Sequence, residues 1–308
     1  MPSREAAINP QPNPSEITVF APAKINVILR ILDRRADGFH NLWSIMQTVA
    51  LEDEVQISLC ADMQGIRLRC DATDLAADQS NLVYRAAAEV LACAQRSIGL
   101  DIKLRKRIPM GAGLGGGSSD AAATIIGLNQ LLQLKWSPAK MAGIGQLLGS
   151  DVPFFFFAPS AFVAGRGETV RPVVFEGTRW VVLVNPGFGV NTKWAYQELA
   201  GTRTAVAPLS SVQQELDRQS RVSWDQLIAA AENDFEAPVF AAHGKLREIK
   251  RSLQAHGAKI ALLSGSGATV FGLFADEARA RLALTQFVSE NSMKAFVVPT
   301  CAGSLGWR

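Results

Sequence analysis

Cysteine, histidine and long apolar runs are all scarce in this chain, and each scarcity removes a class of protein. Its 308 residues hold four cysteines, Cys60, Cys70, Cys93 and Cys301, and three histidines. No Cys-x-x-Cys pair occurs and no cysteine groups with a histidine, which argues against both a cysteine–histidine zinc site and a disulfide framework. Reduced thiols in the cytoplasm are the simplest expectation. No uninterrupted apolar run reaches membrane-spanning length, since even the uncharged stretch from Ile260 to Ala275 is broken by SGSGAT. Residues 1–16, MPSREAAINPQPNPSE, lack the apolar centre of a signal peptide and carry Glu5 and Glu16, which a transit peptide avoids; a disordered tail is expected there. Excess charge is small as well. A net +3 suits anionic small molecules but is too mild to argue for nucleic acid.

What the chain does have is enough apolar residues, 48%, for a large core, and a length that suggests two domains. ITVFAPAKINVILRIL reads as a strand interrupted near Pro22, and period two puts Lys24, Asn26, Ile28 and Arg30 on one face. RRADGFHNL carries an Asp-Gly turn, and DEVQISL and IRLRC read as further strands. SNLVYRAAAEVLACAQ predicts a helix capped by Ser80 or Asn81. A short helix is expected from Ser137-Pro138, a buried strand over Phe154 to Phe157, and a polar loop from Gly201 to Ser223. FAAHGKLREIKRSLQAHG predicts a helix ending at Gly257, and AKIALLSGSGATVFGLF a strand, a glycine loop and a strand. Strands and helices mix without strict βαβ alternation, which favours an α+β class. An apolar strand, RWVVLVNPG, restarts after a polar hinge near Glu176 to Thr178. Domains are therefore placed at 17–175 and 176–308.

The stretch PMGAGLGGGSSDAA, beginning at Pro109, puts five glycines and two serines between a strand-like DIKLRKRI and a helix-like AAATIIGLNQLLQL. It is too short and too well punctuated for a flexible linker. Glycine lets backbone approach a ligand, and the unpaired amides of a helix start attract an anion. Gly111, Gly113 and Gly116 satisfy G-x-G-x-x-G, yet no acidic residue follows from Ala121 to Ser150 to hold a dinucleotide ribose. A P-loop needs Lys and Ser/Thr after its last glycine, whereas Gly117 is followed by Ser118 and Ser119. A loop wrapping nucleotide phosphates without a lysine remains, beside a purely structural turn.

That loop, together with APAKINVIL, RRADGFHNL, GSDVPFF and LLSGSGATVF in this order, resembles the GHMP kinase superfamily. The likeness runs from about Thr18 to the end of the GSGAT strand, and the galactokinase-type GRxNLIGEH segment is absent. DGFH is similar to the signature of members that phosphorylate the C2 hydroxyl of 4-diphosphocytidyl-2-C-methyl-D-erythritol. The resemblance implies an N-terminal ribosomal-protein-like α/β nucleotide domain, a C-terminal ferredoxin-like α+β domain, and ATP with Mg as cofactors. It implies Asp151 as general base and Lys24 as the cation that pairs with it and polarises the attacking hydroxyl. ATP would be held by Asn81, Leu82 and Lys106 around adenine, and by Pro109, Met110, Gly111, Ala112, Gly113, Leu114, Gly115, Gly116, Gly117, Ser118 and Ser119 around the phosphates. Acceptor contacts would come from Asn26, from His40 on the cytosine edge, from Phe39 and Tyr196 stacking on the base, and from Gly265, Ser266 and Gly267. Members often carry Tyr where this chain has Phe39, so stacking survives without the phenol. No metal ligand is assigned.

For each residue a plain structural reading stands beside the functional one. Asp151 could form a turn, Lys24 could reach solvent from a strand edge, Asn81 could merely cap its helix, and Lys106 could belong to a solvated basic cluster with Arg105 and Arg107. Rival functions are an RNA- or nucleotide-binding module built on the RR and RKR patches, a nicotinamide oxidoreductase, and a related kinase acting on mevalonate, homoserine or a sugar. No nucleic acid or membrane partner is expected, and oligomeric state is not legible.

Overall fold

The structure is a computed structural model that describes residues 15–288 and 292–301. The expected tail falls outside these residues up to position 14, while Glu16 opens the first strand and accepts hydrogen bonds from Gln56 and Ser58. Two long strands, β1 (Glu16–Arg34) and β2 (His40–Cys60), form an antiparallel pair around which the first half is built. Pro22 does not end β1. The strand continues through it with register shifts between Pro22 and Ala23 and between Asn26 and Ile28, as expected where proline or an extra residue is admitted at a bulge.

The chain continues through β3 (Gly65–Cys70), α1 (Leu82–Cys93), β4 (Gly99–Arg105), α2 (Gly116–Leu131), α3 (Pro138–Gln146), β5 (Ser160–Gly165) and β6 (Thr169–Pro172). β2 pairs with β5 along its first half and with β4 along its second, so one strand joins both wings of the sheet. Helix α2 lies against β1 and α1, buried on nearly every side from Ser119 to Leu128. Its sequence, AAATIIGL, is apolar all round for that reason. Helix caps are local and readable: Asn81 caps α1 and Ser137 caps α3, with Pro138 at the first helical position.

Phe154 to Phe157 were expected to be a strand. Instead Pro153–Phe156 form a 3-10 turn with Phe154 and Phe155 buried, because Pro153 favours a helical start and apolarity alone does not distinguish a buried turn from a buried strand.

A short β7 (Val174–Phe175) leads to β8 (Trp180–Asn185), α4 (Thr192–Thr202), α5 (Ser211–Asp217), β9 (Arg221–Val222), α6 (Trp224–Ala230) and β10 (Glu232–Asn233). The stretch expected to be loop thus contains α5, closed by a capping box of Ser210 and Gln213. After α7 (Glu236–Ala242) and α8 (Gly244–Ala255), which break at His243 rather than forming one helix, come β11 (Ile260–Leu263), β12 (Val270–Phe274), α9 (Glu277–Leu284) and β13 (Lys294–Pro299). Strands β11, β12, β8 and β13 make an antiparallel sheet in that order, with helices between β8 and β11 and between β12 and β13. That is the ferredoxin-like arrangement. The two halves are stitched together. β10 adds parallel to β1 at Ile28 and Leu29, and the amide of Cys301 donates to the Thr48 carbonyl of β2.

Candidate active site

Where the halves meet, the glycine loop is fixed by its carbonyls. Those of Ala112, Gly113 and Leu114 accept, respectively, the Thr269 amide at 3.1 Å, the Ser264 hydroxyl at 2.9 Å and the Lys24 amide at 2.9 Å. With the carbonyls engaged by β1 and by the turn between β11 and β12, the loop has one position relative to both halves. Gly113 is required for this contact: its φ is +77° and a Cβ there would lie 2.0 Å from the Ser264 carbonyl oxygen. Helix α2 then starts, with Gly115 left-handed at φ +69° and the Ser119 amide closing back on the Gly115 carbonyl. The amides of Gly116, Gly117 and Ser118 precede that first helical bond and form an anion-attracting helix start.

Lys24 and Asn26 do share a face of β1. The Lys24 ammonium donates to Asn26 Oδ1 at 2.6 Å and lies 3.3 Å from Asp151 Oδ2. A relay sets the orientation of that amide, since Asn26 Nδ2 donates to Ser44 Oγ at 2.9 Å and Ser44 Oγ to the Ile28 carbonyl at 2.7 Å. Lys24 is 3% exposed, so it is not a strand-edge lysine in solvent. Gly115 and Gly265 press against it: Cβ atoms there would lie 2.9 Å from Lys24 Cγ and 3.5 Å from Lys24 Nζ. Among its partners Asp151 is the one that reaches the cleft, with 32% of its side chain exposed.

That cleft, about 960 Å³, is lined by Arg34, Phe39, His40, Ser118, Asp151 and Tyr196, together with Arg166 and Thr192. His40 and Tyr196 stack on each other, centroids 5.1 Å apart and planes 19° apart, and Tyr196 meets the edge of Phe235. Phe39 is 55% exposed with the Arg166 guanidinium 4.9 Å from its ring centre. The aromatic groups therefore share the cleft, but one face of Tyr196 is covered by His40, and the expected slot between Phe39 and Tyr196 is not the arrangement seen. Burial, reinforced by the charges of Arg34 and Arg203, pushes the His40 imidazole below its usual pKa, which favours the neutral ring. Burial and, secondarily, the nearby Asp151 carboxylate push the Tyr196 phenol up to about 12. Ser266, in the β11–β12 turn, shares a 2.9 Å hydrogen bond with Thr192 at the start of α4, and the carbonyl of Gly265 accepts from Asn233 Nδ2.

The residues expected around adenine lie at the start of α1, Asn81 and Leu82, and just after β4, Lys106. Asn81 spends its amide on structure, accepting from the Val83 amide at 2.9 Å and donating to the Ala76 carbonyl at 2.7 Å. Leu82 is half-buried beside Gly117. Lys106 is neither in a solvated cluster nor free to reach a ligand with its ammonium, which is held by Asp53 and Asp120 with the side chain 7% exposed. The carboxylates raise its pKa against the opposing effect of burial. Met110 and Gly111 remain open to solvent, while Ser119 is buried with its hydroxyl unpartnered.

Sequence reasoning passed over Ser44, Arg166, Thr192 and the acids Asp53 and Asp120. Asp120 sat inside the quoted glycine motif, where an acid directly behind an anion-attracting helix start was the available signal. The others come from strands, a turn and a helix start remote in sequence, and no local pattern marks them.

Comparison with known proteins adds independent findings. Residues 81–158 match the family model described as the GHMP kinases N terminal domain and residues 212–291 that described as GHMP kinases C terminal. A 4-diphosphocytidyl-2-C-methyl-D-erythritol kinase of Geobacter sp. strain M21 is 40% identical over 285 residues, covering 92% of this chain and 99% of the relative. A crystal structure of a 4-(cytidine 5'-diphospho)-2C-methyl-D-erythritol kinase superposes with a TM-score of 0.76 at 30% identity, covering 93% of this chain and all of that one. Homoserine kinase from Cytophaga hutchinsonii superposes with a TM-score of 0.75, covering 96% of this chain and 98% of that one; at 20% identity this likeness speaks for the fold alone.

Proposed function

The chain belongs to the 4-diphosphocytidyl-2-C-methyl-D-erythritol kinases of the GHMP kinase family, and from that premise we propose how its residues carry the reaction. It is an ATP-using kinase with a small-molecule acceptor. The acceptor in this reading is 4-diphosphocytidyl-2-C-methyl-D-erythritol, phosphorylated on its C2 hydroxyl in the non-mevalonate route to isoprenoid precursors.

One observation carries the reading. Asp151, ion-paired to Lys24, lines the same cleft as Phe39, His40, Tyr196 and Ser118. A base-recognising aromatic group, a carboxylate with its cation and the start of α2 thus open on one space. Asp151 takes the proton of the C2 hydroxyl as its oxygen bonds to the γ-phosphorus and the bond to the β-γ bridging oxygen breaks, releasing ADP. Lys24 supplies positive charge beside the attacking oxygen, and Asn26, held by Ser44, fixes the lysine. Loop amides from Gly111 to Ser118 take the phosphates at the α2 N-terminus. In this reading Leu82 meets adenine through its apolar side chain, and Asn81 and Lys106 through backbone or aliphatic atoms, since the Asn81 amide already caps α1 and the Lys106 ammonium is held by two carboxylates. A neutral His40 offers the cytosine edge one donor and one acceptor, with Phe39 and Tyr196 as apolar walls. Gly265, Ser266 and Gly267 border the acceptor beside Lys24.

Among the described residues, no group of three or more His, Cys, Asp or Glu could hold a metal ion. Mg2+ therefore fits this site as an ion carried by the ATP phosphates, where it neutralises charge, and not as one caged by protein carboxylates. Among the described residues, no helix is long and apolar enough to cross a membrane.

The test is coupled ADP release with ATP, Mg2+ and the cytidylylated acceptor, beside mevalonate and homoserine. Turnover confined to the cytidylylated acceptor is expected. Turnover of a control with silence on that acceptor would reject the cytidine site while leaving the phosphate loop in place.

A further inference from the structure

Lys106 directly follows β4, and its ammonium lies between two buried carboxylates, Asp53 of β2 and Asp120 of α2. The other oxygen of Asp53 accepts the amides of Arg107 and Ile108, the residues that lead the chain into the glycine loop. A Cβ on Gly116 would lie 3.4 Å from Asp53, so this carboxylate also sits under the start of α2. Asp120 is five residues beyond Gly115, about 7.5 Å along the helix axis. Entrance and exit of the loop are thus tied through one ammonium.

Two carboxylates and one ammonium leave a net negative charge in a buried place. Oxygen Oδ1 of Asp120 is buried without a hydrogen-bond partner. An ionised carboxylate leaves that oxygen bare, whereas a carboxylic acid carries no charge to desolvate. Burial, with a smaller contribution from neighbouring Asp53, pushes the Asp120 carboxyl up to about 7 against the pull of Lys106. The other titratable groups around the triad are Asp71, which accepts the Lys106 backbone amide, and Cys70, whose thiol burial pushes up and keeps neutral. From α1, apolar Leu82 packs beside Gly117 in the first turn of α2.

We propose that Asp53, Lys106 and Asp120 are positioning residues for ATP, forming a proton-linked clamp on the glycine loop that is tight when Asp120 is protonated and loosens nucleotide binding when it ionises. The triphosphate brings negative charge to the start of the helix whose second turn carries Asp120. The two charges compete for the same helix dipole. Bound nucleotide therefore favours the protonated acid, and binding near neutral pH takes up a proton.

The proposal rests only on the nucleotide half of the functional reading, so its test uses MgATP without acceptor. Calorimetric titration of the full chain at pH 6, 7 and 8, in two buffers of different ionisation heat, gives affinity and proton uptake together. From pH 6 to 8 the affinity should fall roughly tenfold, with net proton uptake at pH 7. Asp120→Asn, neutral and of the same shape, should hold one affinity at all three pH values and lose that uptake. An unchanged pH dependence in Asp120→Asn, or no uptake by the unsubstituted protein, overturns the clamp. Should the variant not fold, uptake by the unsubstituted protein decides alone. Failure to bind MgATP at any pH would reject the nucleotide reading itself.

Discussion

Replacing Asp151 by Asn separates catalysis from binding and from folding. The substitution keeps the shape and removes the proton acceptor, so turnover should fall at least about a hundredfold, equal to about 2.7 kcal/mol on the barrier. Folding should barely change. Lys24 keeps its 2.6 Å bond to Asn26, and the lost pair involved a carboxylate already 32% exposed, which limits its contribution to about 1 kcal/mol or less. MgATP affinity should stay within about threefold of the parent, because in the proposed arrangement the loop amides and not Asp151 hold the phosphates. The Tyr196 phenol gives a second readout. Asp151 contributes to its elevation to about 12, behind burial, so in a Tyr84→Phe background a spectrophotometric titration should show Tyr196 ionising lower in the Asn variant, yet still above the ordinary value near 10. Steady-state kinetics with the cytidylylated acceptor is the deciding assay. A kcat within a few-fold of the parent would remove Asp151 from the base role, and an unmoved Tyr196 would contradict the packing that places the two side by side.

Further consequences follow from the loop, the histidine and the seam between the halves. Gly113→Ala puts a methyl 2.0 Å from the Ser264 carbonyl at φ +77° and should cost about 2–4 kcal/mol while raising the KM for ATP at least about tenfold; Gly111→Ala, with φ +61° but open space, should cost only about 1–2 kcal/mol, and urea unfolding of both checks the contrast. His40 is held below the ordinary imidazole pKa near 6.5, so the unfolded chain protonates first and its contribution to stability is lost as pH falls below 6.5. The acceptor KM should correspondingly be flat from pH 8 to 6.5 and rise below it; an NMR midpoint for the His40 ring at or above 6.5 would contradict this. Asp234→Ala leaves Arg30, 4% exposed, and Arg203, which follows α4, without their shared carboxylate, and should cost about 3 kcal/mol or more. Because Arg203 also binds the Ile31 carbonyl and so ties α4 to β1, that variant should show a raised acceptor KM alongside its lowered denaturation midpoint.

Elements with a local signature were legible. The caps of α1 and α3, the strand–loop–strand of β11 and β12, and the glycine turn into α2 each depend on residues within a few positions of one another. Where a signal was apolar and short, it failed. Phe154 to Phe157 read as strand because hydrophobicity has no period over four identical residues, and Pro153 together with a tight turn decided for 3-10 geometry. Within the site, Lys24 and Asn26 could be placed on one face by period two, but their contact with Asp151 joins residues 127 positions apart. Lys106 shows the limit most clearly. Flanked by Arg105 and Arg107 it reads as surface charge, yet the register of β4 on β2 and the packing of α2 enclose it between two acids.

The sequence by itself determined that a glycine-rich turn opens a buried helix, that lysine and asparagine share a strand face, and which family the ordered motifs resemble. Each of these depends on neighbours along the chain, where backbone geometry alone carries the information. Tertiary structure alone decided which charge meets which. It gave Lys24 to Asp151 and Asn26, enclosed Lys106 between Asp53 and Asp120, stacked His40 on Tyr196 and returned Cys301 to β2. Pairings of this kind follow from the burial of distant strands and helices in one core, where a polar group must find whatever partner the packing brings to it.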